Sequence, residues 1–430
     1  MGLKGLLAGI AGRARVPVFA VGGAGARDDL ANLRLRTEIS MLDTPRPANI
    51  LLVAGSFTDA GIAALRRVHD QMSPPRLTVH WGPTTLEGLP AEHVVSGNVD
   101  GLVDAIVDLH RALLHGTLPS EAPLLPDIDP AEWRNVGPYG QGGKGMTGGV
   151  PYGRPMAERG PDRDGIQLDR LPVTLGPWLP ALPAGLTLRV TFQGDIIQEA
   201  SVGPAAVTAA IASPFKEALR RPVPLADLEL ARARHHLIWL AEALRLVGLG
   251  ALGLRALRLA ARLTPQDNDA VDALARAIRK SGAFAWSLGS AGRLDPSLTE
   301  GLGPVARASG LPDDARLEDP TYRSLGFTPI TFADGDPRAR WRQRLAEITQ
   351  SLDLAMQAPD RTAFGDGVVE GPHGRLEQGA PTPSSRLLEL LPALLTGLEW
   401  GDAVTCLASI DMDPAEAAAA PPSAGEGEAA

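Results

Sequence analysis

Four groupings in this chain carry side chains capable of chemistry. Arg340, Arg344, Glu347 and Ser351 recur at the spacing of one helical face, so guanidinium, carboxylate and hydroxyl groups line up along a single helix. Asp336 stands at that helix's first turn, where exposed N–H groups and the helix dipole favour a carboxylate. We expect at least one of the two arginines to be buried against carboxylates. His235 and His236 are the adjacent histidines. Neighbours do not share the i,i+4 face that paired metal ligation uses, so they read as a partly exposed helical pair. The run Glu158–Arg170 is dense in Asp and Arg, and reads as a solvated, self-paired turn or as a recognition turn. Cys406 is the single cysteine, so neither an intramolecular disulfide nor a cysteine-built iron–sulfur or zinc site follows. The stretch GQGGKGMT lacks phosphate-loop spacing, and no nucleophile-elbow sequence is present.

The elements that must position these groups belong to a chain of 430 residues, long enough for two domains or more. Hydrophobic residues make up 44% and charged residues 21%, ordinary for a globular protein. A net charge of −9 argues against a general nucleic-acid binder. One free cysteine is compatible with a reducing compartment. The start, Met1–Arg15, reads as a short amphipathic segment rather than a signal peptide, because Arg13 and Arg15 follow its apolar stretch at once. The longest apolar run elsewhere, Leu246–Leu254, is far short of a membrane span.

Residues 16–115 alternate strand and helix patterns. Val16–Val21, Asn49–Gly55, Arg76–Gly82 and His93–Gly97 read as strands of an open, parallel, flavodoxin-like α/β sheet. An amphipathic helix follows, with Leu102, Ile106, Leu109 and Leu113 on one face. Residues 116–185 are dense in Gly and Pro and read as a linker arm, in which Trp178 is expected to anchor on the second domain. Residues 186–414 read as a mainly helical α+β domain that opens with a β-hairpin turning at Gly194-Asp195. Its expected helices are Leu225–Leu246, Leu249–Leu263, Asn268–Leu288, Arg338–Gln357 and Ser384–Leu395. Residues 415–430 read as a disordered tail.

Three segments in order, GPVARASGLPDDAR (Gly303–Arg316), DPTYRSLGFTPITFADGDPRARWRQRLAEITQSLDLAM (from Asp319) and VVEGPHG (from Val368), are followed by a stretch ending in CLASID at Asp411. This order resembles the large, quinone-site subunit (49-kDa type) of respiratory complex I and its hydrogenase relatives. The resemblance makes Arg316, Tyr322, Asp336, Arg340, Arg344, Glu347, Ser351 and His373 framework positions, structural rather than catalytic. The family's His-Arg-Gly-x-Glu segment near the quinone head is replaced by Val202–Ala210, VGPAAVTAA. The [NiFe] ligand cysteines are missing too.

The stretch Thr44–Gly82, with its Pro-Arg-x-Ala-Asn entry, VAG strand end and LRRVHDQM helix, resembles the cluster-bearing small subunit (20-kDa type) of the same enzymes. By position, that family's four cluster cysteines correspond to Gly25, Asp28, Thr84 and Asn98. None is a thiolate, and oxygen donors suit iron–sulfur chemistry poorly. The resemblances together imply a fusion of the two subunits, without a [4Fe–4S] cluster or [NiFe] centre, with quinone binding left open. They imply a structural, docking or regulatory subunit on integral membrane partners, cytoplasmic and peripheral on the inner face of the cell membrane. The alternative is an active subunit that binds quinone and takes part in NADH-linked electron transfer.

Overall fold

The computed structural model describes residues 14–82, 85–127, 132–142, 157–162, 164–286 and 288–419. Thr84, the start of the N-terminal amphipathic segment, the centre of the Gly/Pro arm and the tail from 420 lie outside the described residues.

The first half is a five-stranded parallel sheet in the order β2-β1-β3-β4-β5. Its strands are β1 (Val16–Gly22), β2 (Ile39–Met41), β3 (Ile50–Ala54), β4 (Leu77–Trp81) and β5 (Val94–Val95). This is the flavodoxin-like arrangement that the strand patterns predict. Every residue of β3 is buried, because a central parallel strand is covered on both faces. Helices α1 (Arg27–Leu33), α2 (Asp59–Gln71) and α3 (Val99–His115) provide that cover. Helix α2 is capped by Thr58, whose side chain accepts from the Gly61 N–H at 3.2 Å. Helix α3 starts on Asn98 and ends on Gly116 in the left-handed conformation. Strand β2 is not evident in the sequence because three residues show no alternation.

The second half is built on the long helix α4 (Leu225–Leu246). It packs against α5 (Gly250–Ala261) and α7 (Pro337–Gln357), with α6 (Asn268–Lys280) alongside. Leu237, Leu240, Leu244, Leu257, Ile278, Ile348 and Leu352 form the centre of this core. Trp239 and Trp341 meet edge to face at 5.3 Å. Helix α6 ends earlier than its apolar pattern suggests, because Gly282 turns the chain at φ +80°. Helices α8 (Pro383–Leu395) and α9 (Trp400–Ile410) complete the body.

The structure moves two boundaries. The expected hairpin is a three-stranded antiparallel sheet, β8 (Leu171–Leu175), β9 (Leu188–Gln193) and β10 (Ile196–Val202). The second body therefore draws on residues assigned above to the linker. Pro172 hides β8 in the sequence, yet an edge strand tolerates proline. At the other end, Pro414–Ala417 is a helical turn with Glu416 buried, so order continues past 415. Asp413 starts that turn by accepting the Ala415 N–H at 2.8 Å. The Glu158–Arg170 run forms the exposed ribbon β6 (Arg159–Pro161) and β7 (Gln167–Asp169), closed on the Asp162 carboxylate.

The halves are joined through the segment Val202–Ala210. Val207 bridges to Phe57, the Thr58 hydroxyl donates to Ala205 O at 2.6 Å, and Ala206 and Val207 are each 2% exposed. Trp178 anchors on the first half, not the second: its Nε1–H donates to Gly22 O at 3.4 Å, and its ring meets Phe57 at 5.9 Å. The close approach depends on Gly61, where a Cβ would lie 2.0 Å from Ala206 O. Gly61→Ala at an unconstrained helical site would stabilise by about 1 kcal/mol. Here we expect the opposite, a loss on the order of 1–3 kcal/mol from overpacking, with faster proteolysis between the halves. A raised melting temperature would refute this account of the seam.

Candidate functional site

Helix α4 carries Glu229, Arg232 and His236 on a face that is otherwise apolar, and all three are fully buried. Ionised groups in such a place persist only with partners. Glu229 accepts from the Tyr322 hydroxyl at 2.6 Å and the Ser351 hydroxyl at 2.6 Å, and faces Arg316 at 3.3 Å. Arg316 also donates to both oxygens of Asp314, at 2.9 and 2.7 Å, and lies over the Phe327 ring. Arg307 forks onto Glu347 at 2.7 and 3.1 Å and reaches Glu370 at 2.8 Å. Arg232 donates to the carbonyls of Glu370 and Gly371, each at 2.7 Å.

The sequence-derived framework positions thus fall into four sets. Arg316, Tyr322, Ser351 and Glu347 meet in this network. Asp336 caps α7, accepting the Ala339 N–H at 2.7 Å. Arg340 and Arg344 are fully buried but bind chiefly neutral oxygens. Arg340 donates to Gly335 O, Gly292 O and the Ser409 hydroxyl; Arg344 donates to Ser409 O and Ile410 O at 2.8 and 2.5 Å. Those carbonyls close α9, where the helix dipole favours a cation, and Asp411 stands 3.6 Å from Arg344 Nε. The eighth position, His373, lies elsewhere, beside the cavity described below. Glu229, Arg232, Arg307, Asp314 and Glu370 were missed as partners. The available signal was charge placed on the apolar face of α4.

The network carries one carboxyl more than its guanidinium groups neutralise. Arg307 Nη1, with two hydrogens, faces Glu370 Oε1 at 2.8 Å, Asp314 Oδ2 at 3.0 Å and Asp313 O at 3.0 Å. Burial and the Asp314 charge push the Glu370 carboxyl up to about 7. Its affinity for a proton is thus higher folded than unfolded, so its stabilising contribution is complete at acid pH and lost as pH rises through about 7.

A second constellation lies where the halves meet. The chain order reverses between β1 and β3, and such switch points open a crevice at the carboxyl ends of the strands. Here the loop Gly22–Gly25 and α1 face α4 across a cavity of about 510 Å³. Arg27 crosses it, reaching Glu242 at 2.9 Å, Asp411 at 3.2 Å and His235 Nε2 at 3.2 Å. His235 Nε2 also lies 2.9 Å from Asp411. Of the His235-His236 pair, His235 is partly exposed as expected, at the cavity edge, whereas His236 is fully buried because it faces the core. Burial drives His235 well below the ordinary histidine value and His236 down to about 4, so both are neutral near pH 7. His373 packs edge to face on His235 at 4.8 Å, and its Nδ1 lies 2.7 Å from Glu416. Although burial opposes it, Glu416 and neighbouring acids raise the pKa of His373. Its Nε2 is buried without a partner among the described residues.

Ligand atoms of His235, His236 and Asp411 lie within 4.8 Å of one another. Arg27 and Arg344 already stand on Asp411, so a metal ion there would meet two cations. A cluster at the positions taken from the small-subunit resemblance does not fit either. Gly25 offers no donor and Asp28 only hard oxygen. Asn98 spends its Oδ1 on the Gly101 N–H at 3.0 Å. Cys406 is fully buried in the other half, 3.8 Å from Arg340 Nη2, and burial pushes its thiol pKa up.

Residues 297–380 match the family described as the 49 Kd subunit of respiratory-chain NADH dehydrogenase. Over 72 residues the chain is 38% identical to an NADH-quinone oxidoreductase subunit of Rhizobium etli (strain CIAT 652), covering 16% of this chain and 18% of that protein. It is 40% identical over 76 residues to an F(420)H(2) dehydrogenase subunit of Methanosarcina mazei, covering 17% and 20%. With an NADH-quinone oxidoreductase subunit of Salinispora tropica it shares 44% over 69 residues, 16% of each. The matches span about a fifth or less of these relatives' length. They support the likeness to the large subunit over the segment that supplies Arg307, Asp314, Arg316, Tyr322, Glu347 and Glu370. A chain of the membrane-bound sulfane sulfur reductase (MBS), an archaeal respiratory membrane complex, superimposes with TM-score 0.43 and 19% identity, covering 58% of this chain and 98% of that one.

Two outcomes test the network. Glu370→Gln should remove stability loss between about pH 4.5 and 7, on the order of 2–3 kcal/mol relative to the parent, in denaturant titrations at several pH values. A parallel pH profile for the two proteins would contradict a proton held at Glu370. Arg344→Ala should cost about 3–5 kcal/mol, because it strips the α9 carbonyls and Asp411 of a buried partner. Unchanged melting would show that these bonds are dispensable.

Proposed function

We propose that this chain is a cluster-less peripheral subunit of a complex I-like assembly, fusing small- and large-subunit-like halves. It serves a structural, docking or regulatory role on integral membrane subunits at the inner face of the membrane. What supports this reading is the buried charge network of the matched segment, taken with the residue types at the positions that the small-subunit resemblance implies. The charge network of the 49-kDa-like segment is complete, while Gly25, Asp28 and Asn98 offer no thiolate and Cys406 is buried in the other half. Among the described residues no helix is long and apolar enough to cross a membrane, so membrane association would come from partners. The likeness to the relatives named above, subunits of quinone- and F420H2-linked dehydrogenases, supports this kind of assembly. In this proposal the chain needs neither a [4Fe–4S] cluster nor a [NiFe] centre and has no nucleic-acid partner.

A second reading rests on the cavity. The unpartnered Nε2 of His373 and the lining Trp178 and Trp239 suit a ring with a carbonyl oxygen, so a subunit that binds quinone in NADH-linked electron transfer stays in play. Isolation of the native assembly under anaerobic conditions separates the two. We expect the chain in membranes with integral partners, released by mild detergent, with no iron or sulfide stoichiometric to it. Recovery as a free monomer outside the membrane fraction would overturn the docking role. NADH- or quinone-dependent turnover by the purified chain would establish the second reading.

A further inference from the structure

The cavity between the halves has two chemically different ends. Helix α4 lines it with His235, Trp239, Glu242 and Leu246, one helical face. From His235 to Arg245 this wall runs about 15 Å at 1.5 Å per residue. His373 closes the His235 end. At the other end Arg34, from the close of α1, stands near Arg245.

Arg34 is half-buried, and its guanidinium makes no hydrogen bond or ion pair with any described residue. Arg245 is tied to Asp43 at 2.6 Å, and Glu242 is tied to Arg27 at 2.9 Å. The carboxylates nearest Arg34 are therefore engaged with other cations. Burial and the Arg245 charge depress the affinity of Arg34 for its own proton, the mark of a cation short of counter-charge. A half-buried guanidinium, with its planar set of donors unspent, is a receptor for an oxyanion. Asp43, Glu242 and Asp411 also line the cavity, but each is tied to Arg245 or Arg27, so Arg34 keeps donors that no described side chain uses.

We propose that this cavity binds a small organic oxyanion, a carboxylate or a phosphate ester. Its charged group sits on Arg34 beside Arg245, and its uncharged body lies along Trp239 toward the Nε2–H of His373. The site stands whether or not the chain docks on a membrane, since it rests on residues of the cavity alone.

The test uses the purified full chain and two fluorescent probes of similar size, anionic anilinonaphthalene sulfonate and neutral N-phenylnaphthylamine. The anionic probe is expected to bind the native chain at one site. Arg34→Gln should weaken it roughly ten- to a hundredfold, the worth of a charge-assisted hydrogen bond, and leave the neutral probe unchanged. Since Arg34 has no partner to lose, the melting temperature should hold. Displacement by octanoate identifies a carboxylate site, and displacement by phenyl phosphate a phosphate site. Equal binding of the anionic probe by parent and Arg34→Gln, or failure of both competitors to displace it, overturns the proposal.

Discussion

The buried ion network around Arg307 is the constraint on which the second half depends. Charges taken out of water cost several kcal/mol each unless paired and hydrogen-bonded. Arg307 meets that condition by touching Glu347, Glu370 and Asp314 at once, three groups from separate parts of the chain. Helix α7, the loop before Arg316 and the ribbon Val368–Glu370/Arg375–Glu377 are thereby fixed relative to one another. Arg316 extends the network to Glu229 on α4, and Arg232 brings α4 back to the same ribbon. Mere apolar packing would tolerate sliding among these helices, whereas directional bonds between fully buried groups do not.

That rigidity carries over to the seam. Helix α4 holds Glu229, Arg232 and His236 in the network on one side and presents His235, Trp239 and Glu242 to the cavity on the other. Arg27, from the first half, ends in Glu242 and Asp411, and Asp411 is also approached by Arg344 of the buried body. Charge on the cavity wall is therefore coupled to the body behind it. Asp411 is held well below the usual carboxylate range by His235, Arg27 and Arg344, despite its burial. It stays ionised, and that charge fixes Arg27 across the seam.

Much of this is legible in the sequence where burial imposes a pattern. Asn49–Gly55 reads as a central parallel strand because both faces are covered, and Arg338–Gln357 reads as one helix because Asp336 and Pro337 mark its start. The large-subunit resemblance brings Arg316, Tyr322, Glu347 and Ser351 into one set. What they bond to is not legible, because Glu229 lies 87 residues from Arg316 and 122 from Ser351. Trp178 finds a different partner from the expected one for the same reason: a tryptophan in a Pro-rich arm announces an anchor, but only the fold decides which half receives it. The His235-His236 pair is half legible: His235 is partly exposed as expected, while His236 turns into the core, because adjacent helical residues point about 100° apart.

The segment Val202–Ala210 supplies the contact that closes the seam between the halves. Its residues are small and apolar apart from Thr208. Ala206 accepts the Thr58 N–H, and its carbonyl lies where a Cβ on residue 61 would collide. A histidine or arginine side chain would not fit the space left by Ala206 and Val207, each 2% exposed. Large polar side chains at those two positions would thus press the halves apart. Among the basic groups that line the cavity, Arg27 and Arg34 come from α1 and its close, His235 from α4 and His373 from the loop at Pro372-His373. A ligand in this cavity would therefore meet arginine and histidine donors drawn from both halves.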